Sequence, residues 1–157
     1  MTILQCQDEL IDRIKKSVEN LVFEPPDDKW RDPVHMNVFK QYVPAAKDDD
    51  PLYPFPYVVV KVADGEAGYN LRDASVYRMV CVIGVRRTEA AMGYFDAVGV
   101  MQRIIEDLSK HPMLEHFFMT PDPIKFAVDD DDNFPYSFAG IETKWSGQPI
   151  AQEGLYT

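Results

Sequence analysis

YVVVKVA at residues 57–63, closed by Asp64-Gly65, and VYRMVCVIGVR at residues 76–86 decide how this chain folds. Both runs are dense in β-branched side chains, which suit the pleated surface of a sheet. The polar stretch 65–75 between them reads as a hairpin loop, and Gly84 stands near the end of the second run. Apolar residues are nearly continuous along both, a pattern of central strands covered on each face. The two runs are therefore expected at the middle of the sheet.

Downstream, residues 93–110 place Tyr94, Val98, Met101, Ile105 and Leu108 on one helical face, with Ala97 and Ile104 beside it. Such a helix is roughly 27 Å long at 1.5 Å per residue, enough to lie across a sheet. Lys110, His111 and Pro112 end it. Residues 113–119 read as a short helical turn or an edge, 124–128 as a strand and 136–145 as another. Asp129, Asp130, Asp131, Asp132 and Asn133 join those last two in the manner of a hairpin. Upstream, Thr2 and Gln5 form a capping box for a helix over residues 2–21, with Ile3, Leu4, Leu10, Ile11, Ile14, Val18 and Leu21 at helical spacing. Lys15 and Lys16 suit its C-terminal half, and Pro25 and Pro26 stop it.

Residues 24–56 change character, with Pro25, Pro26, Pro33, Pro44, Pro51, Pro54 and Pro56 set among aspartates. They read as a Pro/Asp-rich extended loop or arm with one strand near residues 34–43, where Val34, Met36 and Val38 keep one parity. Residues 146–157 read as an irregular tail. The expected fold class is α+β: a mainly antiparallel or mixed β-sheet with an N-terminal helix and one long central helix packed on it, in a single domain spanning 1–157. The strand–helix rhythm of a doubly wound nucleotide-binding fold is missing.

Composition narrows the function. The 157 residues are 46% hydrophobic and 12% aromatic, which excludes a largely disordered chain. A chain of this size buries a core without metal or disulfide staples. Acidic residues outnumber basic ones 26 to 16, for a net charge of -10. That balance argues against a protein that grips nucleic acid by its phosphates, though not against one past which DNA slides. Cys6 and Cys81 suit reduced, buried positions, and neither a secretory leader nor a membrane-spanning run is evident. A soluble protein made in a reducing compartment, with no membrane partner, is expected.

Tests for chemistry mostly fail. Asp129, Asp131 and Asn133 match the first ligands of a calcium loop, but Phe134 stands where a turn glycine is needed and Gly140 where a bidentate glutamate is needed. His111 and His116, if helical, lie about 140° apart around the axis, and His35 is alone, so a zinc site is not expected. No nucleophile elbow or phosphate-cradling loop occurs. No cofactor is expected. One string remains: Pro121-Asp122 followed by Glu142-Thr143-Lys144 fits the loose P-D…[DE]-x-K pattern of Mg²⁺-dependent nucleases, in which two carboxylates hold the metal and a lysine positions water. The aromatics Trp30, Tyr42, Tyr53, Phe55 and Tyr57 in or beside the arm have two readings. They pack the arm onto its own domain, or they anchor it in a neighbouring subunit.

The order of elements carries a resemblance. The run 54–62 with Asp64-Gly65-Glu66, the strand 76–86, the helix 93–108 followed by His111-Pro112-Met113-Leu114, the block 121–128, the acidic turn, and residues 135–145 together resemble the tail-terminator-like (tail completion or minor tail) proteins of long-tailed bacteriophages and prophages. The resemblance implies a non-enzymatic α+β subunit of the virion tail that forms a homo-oligomeric, hexameric ring on the tail tube. The ring ends polymerisation of the tail-tube protein and joins the tail to head-completion or neck proteins. DNA passes through its bore without specific binding, and assembly takes place in the bacterial host cytoplasm. No catalytic residues follow from it. Six copies at -10 carry about -60 in formal charge, which repels DNA phosphate within a Debye length of roughly 8–10 Å and lets it slide. Asp48, Asp49 and Asp50, with Asp129, Asp130, Asp131 and Asp132, are the candidate lumen or ring-face loops. Trp30, Tyr53, Phe55 and Tyr57 are the candidate interface anchors. The competing expectation is a Mg²⁺-dependent nuclease of a mobile element using Asp122, Glu142 and Lys144.

Overall fold

The computed structural model describes residues 2–23, 34–45, 53–69, 73–89 and 92–147. Along the chain these form α1 (Ile3–Val18), β1 (Val22–Phe23), β2 (Val34–His35), β3 (Asn37–Lys40), β4 (Tyr57–Glu66), β5 (Val76–Arg86), α2 (Met92–Lys110), β6 (Phe117–Met119), β7 (Lys125–Val128) and β8 (Tyr136–Gly147). One sheet has the order β3-β4-β5-β8-β6, and β7 also pairs with β8. Only β3 and β4 run parallel; the other pairs are antiparallel. With α1 over β3 and β4, and α2 over β5 and β8, the fold is α+β. Neither helix is long and apolar enough to cross a membrane.

Central β5 sets the core by its two-residue alternation. Tyr77, Met79, Cys81, Ile83 and Val85 enter the side occupied by the helices. Across the ladders they meet Val58 and Val60 of β4, and Ala139, Ile141 and Trp145 of β8. The helices supply Leu10, Ile11, Ile14 and Val18, and Val100, Met101, Ile104 and Leu108. Each large apolar side chain buried this way contributes about 1.5–3 kcal/mol. Trp145 is fully buried and stays satisfied because its indole Nε1 donates to Thr143 Oγ1 at 2.8 Å.

The opposite face departs from the two-sided cover expected of such apolar runs. One half is covered: Tyr57 and Val59 are buried there. Phe55 lies on Tyr57 and Tyr136 with centroid separations of 5.1 and 5.0 Å. Gly84 is required beneath this cluster, since a Cβ would stand 2.5 Å from Tyr57 Cζ. The other half presents Asp64, Arg78, Glu142 and Lys144, whose charges keep it in water.

Three further expectations are adjusted. The strand near residues 34–43 is two short pieces: β2 pairs with β1, and β3 with β4. Residues 117–119 form an edge strand. β8 continues to Gly147, past the expected end at 145, because β6 pairs with its last residues. The Pro/Asp-rich arm is described only at residues 34–45 and 53–56, and residues 148–157 lie outside the described residues.

Polar contacts fix the helices in place. Thr2 Oγ1 accepts from Gln5 N–H at 3.0 Å, the N-cap the sequence announces. Gln5, Glu9, Arg13 and Ser17 follow at four-residue spacing, hence along one face of α1. Arg13 Nε donates to Asp107 Oδ2 at 2.8 Å. Its Nη atoms donate to the carbonyls of Asp107, His111 and Met113, which closes the C-terminus of α2. Ser17 Oγ donates to Asp107 Oδ2 at 2.5 Å. Near the other end of the sheet, buried Gln7 donates to Val60 O and to Gln41 Oε1, both at 2.9 Å. Gln41 itself turns the chain with φ of 67°. Its side-chain amide pairs with the N–H and C=O of Val62, continuing the ladder after β3 has ended.

Burial alone would raise the Asp107 carboxyl, but hydrogen bonds from Ser17 and Arg13, with the Arg13 charge, hold it below the usual carboxylate range. The unfolded chain therefore binds this proton more tightly. The resulting stability is complete above the unfolded carboxylate value near ~3.9 and disappears as pH falls through the folded one. Arg13→Met should lower unfolding free energy by about 2–3 kcal/mol at neutral pH, because it strips charge-assisted bonds from a half-buried acid and a helix end. The deficit measured by urea titration should shrink as the pH is taken into the acid range.

Candidate functional site

The uncovered half of the outer face is a ladder of alternating charge. The register slips by one residue between Val62 and Asp64, so Asp64, in place of Ala63, stands opposite Arg78. Arg78 grips it with both prongs, Nε to Oδ1 at 2.8 Å and Nη2 to Oδ2 at 2.6 Å. The remaining Nη1 lies 3.4 Å from Glu142 Oε2. Lys144 is level with Arg78 on β8, and Lys125 is level with Glu142 on β7. The hydrogen bonds from Arg78, then its charge and that of Lys144, hold the Asp64 carboxyl below its ordinary range, and the same pairing raises the guanidinium.

Asp64, Arg78, Thr120, Asp122, Glu142 and Lys144 line one depression of about 630 Å³. Thr120 positions its rim, with N–H on Lys144 O at 2.9 Å and Oγ1 on Asp122 Oδ2 at 2.9 Å. The three residues of the P-D…E-x-K string are thus brought together. Their carboxylates are engaged differently from what that chemistry asks. Glu142 and Asp64 converge on a guanidinium, and Asp122 takes the Thr120 hydroxyl. Among the described residues, the groups of three ligands close enough to share a cation are Glu9, Glu115 and His116, and Asp129, Asp130 and Asp131.

The acidic hairpin between β7 and β8 is built from its own side chains. Asp129 accepts from Asp131 N–H at 3.0 Å and from the Asn133 amide at 2.8 Å, while Asp132 accepts from Phe134 N–H at 3.3 Å. These are Asx-type turns, which explains Asp and Asn at alternate positions without a calcium ion. The loop adjoins the start of α2. There, buried Arg87 bonds Asp96 at 2.8 Å, and its own N–H donates to Pro135 O. Exposed Tyr94, Phe95, Phe134 and Tyr136 stand around the same end, so acid and aromatic surface meet.

The other expected residues fall as follows. Tyr53, Phe55 and Tyr57 lie in ring contacts with the chain's own β3 and β8 side chains. Tyr42 is exposed. Trp30, Asp48, Asp49 and Asp50 lie outside the described residues. His111 ends α2, and His116 contacts Glu9. Burial pushes both thiols up to about 12, with the Glu9 charge adding to the effect at Cys6. Sequence reasoning missed the α1 stripe, whose signal is the polar i, i+4 series, and the Asp64–Arg78 pair, which depends on a bulge without a sequence mark. No protein-family model matches the chain, and comparison with curated proteins finds no match.

Arg78→Met should move the Asp64 side chain back up toward ordinary carboxylate titration, with the Lys144 charge still holding part of the shift. NMR detection of its carboxyl carbon across an acid titration should show the midpoint moving up in the variant.

Proposed function

We propose that this chain is a structural component of the virion tail of a long-tailed phage or prophage. In this reading copies associate into a closed ring on the tail tube, end its polymerisation and present a surface to head-completion or neck proteins. DNA passes through the bore. The observation that carries the reading is the pair of strands whose outer edges pair with no other strand among the described residues, β3 on one side and β7 on the other. The outer edge of β6 is taken by residues 112–114, with Met119 N–H on Pro112 O at 2.8 Å and Leu114 N–H on Phe117 O at 2.7 Å. The β7 edge carries exposed Phe126. Open edges with apolar flanks favour pairing with another chain. Contact between unlike edges of successive copies is the heterologous kind that closes into a ring. The order of helix, paired strands, long helix and acidic hairpin agrees with the resemblance seen in the sequence, and the exposed aspartates of the hairpin suit a surface past which DNA slides.

The second reading, a Mg²⁺-dependent nuclease, is favoured by one observation: Asp122, Glu142 and Lys144 share a depression. The Arg78 clamp on Glu142 weighs against it.

Light scattering and negative-stain imaging of concentrated protein, alone and with purified tail tubes, test the proposal. Closed rings, or caps on tube ends, are expected. Phe126→Asp should abolish them while changing stability by no more than about 0.5 kcal/mol, as an exposed position allows. A chain that does neither overturns the reading. Nicking of supercoiled plasmid in Mg²⁺ that Asp122→Ala abolishes would replace it with the second.

A further inference from the structure

The polar stripe of α1 faces the connection between α2 and β6, and at its middle two carboxylates meet an imidazole. Glu9 Oε1 accepts from the backbone N–H of His116 at 2.7 Å. That bond aims Oε2 at His116 Nδ1, 3.0 Å away. The Gln5 side-chain amide nitrogen also lies 3.3 Å from Nδ1, a contact that zinc would displace. Glu115 supplies a second carboxylate, and one ligand atom from each of the three residues lies within 4.8 Å of the others. Glu9 is only 12% exposed, and its one ionic partner among the described residues is His116, a cation only when protonated. Glu115 adds like charge beside it, without an ion pair of its own among the described residues. Two carboxylates held this close favour a cation between them. A solvent-open depression lined by Glu9, Asp12 and Glu115, and also by Arg13 and Lys16, adjoins the group and leaves room for a water ligand.

We propose that Glu9, Glu115 and His116 form a zinc site that clips the 113–116 connection onto α1. The inference is independent of ring formation. One imidazole and two carboxylates are an ordinary zinc donor set, with water in the fourth position. Calcium and magnesium favour all-oxygen shells with more ligands. Zinc bonds of about 2.0–2.2 Å place neighbouring tetrahedral ligands roughly 3.3 Å apart. The Nδ1–Oε2 pair at 3.0 Å therefore needs to open by only a few tenths of an ångström, and the exposed Glu115 side chain has freedom to close the triangle. Zinc takes the place of the proton between Nδ1 and Glu9, so binding releases a proton wherever Nδ1 carries one and weakens in acid. The ligands come from α1 and from a connection more than a hundred residues later, so the metal binds the folded chain and stabilises it by linkage.

The test uses the full chain, stripped with a chelator and titrated with zinc chloride by calorimetry and thermal unfolding. One zinc per chain and a rise in melting temperature are expected. Co²⁺ in place of zinc should give the intense visible absorption of a tetrahedral site. Glu115→Gln removes a ligand that makes no other bond among the described residues, so the metal-free variant should melt with the wild type. It should bind zinc at least tenfold more weakly, no less than an outer-shell loss costs. His116→Gln should abolish the Co²⁺ signature, and Asp130→Asn in the hairpin should leave binding unchanged. Absence of heat and of any melting shift up to about 1 mM zinc overturns the proposal. So does a zinc effect that survives both Glu115→Gln and His116→Gln.

Discussion

Because side chains alternate along a strand, β5 can give the core only every second residue. Once Tyr77, Met79, Cys81, Ile83 and Val85 are committed to the helices, Arg78, Val80, Val82 and Gly84 must face the other way. The two halves of the outer face follow from this constraint. Gly84 leaves a shallow floor on which the Tyr57 ring lies, and the segment before β4 closes over it with Phe55. At the other end Arg78 brings a charge that cannot be covered by apolar rings. It collects Asp64 and Glu142 instead, and the half stays open. A one-residue slip of β5 would send Arg78 into the core and Ile83 into water, so register is held by both faces together.

The legible part of the fold was that governed by local pattern. β4, β5, α2 and the β7–β8 hairpin stand where β-branched runs, helical periodicity and a cluster of aspartates place them, and Thr2 caps α1 as its spacing with Gln5 indicates. What escaped depends on partners far away in sequence. The end of β8 at Gly147 is set by Phe117, thirty residues earlier. The break at Met36 separates strands that belong to different sheets. Two-sided cover was inferred from apolar continuity in β4 and β5, yet hydropathy along a strand does not say whether a ring or water lies above a given valine. The candidate site divides in the same way. The string Asp122, Glu142, Lys144 was readable and its members do meet, but Arg78 was invisible as their counter-ion because its position opposite Asp64 needs the bulge after Val62.

The stripe Gln5, Glu9, Arg13, Ser17 gives α1 a second task beside core packing. Apolar residues alone would let the helix slide on the sheet, since dispersion contacts are non-directional. Arg13 removes that freedom by bonding three carbonyls at the end of α2, and Gln7 removes it at the other edge by bonding Val60 and Gln41. Both are buried or half-buried polar groups whose partners are satisfied, which makes them directional without leaving an orphaned donor. Arg13 thus ties α1 to α2, and Gln7 ties α1 to the sheet.

Charge is distributed to match. The chain's acidic excess of ten is absent from the open half of the outer face, where Asp64 and Glu142 are balanced by Arg78, Lys125 and Lys144. It is concentrated at places such as the hairpin, where four aspartates adjoin without a lysine among them. Copies of a chain at -10 repel at long range, but the repulsion decays over a Debye length of roughly 8–10 Å. At contact distance the local balance decides. Lys125 lies on the β7 edge itself, and Lys40 on β3 is paired with Asp8 at 2.7 Å, so the unpaired edges are near neutral. In the proposed ring, edges able to meet would associate and the acidic loop would discourage contact elsewhere. There the same partition sets the hairpin's aspartates against a passing phosphate.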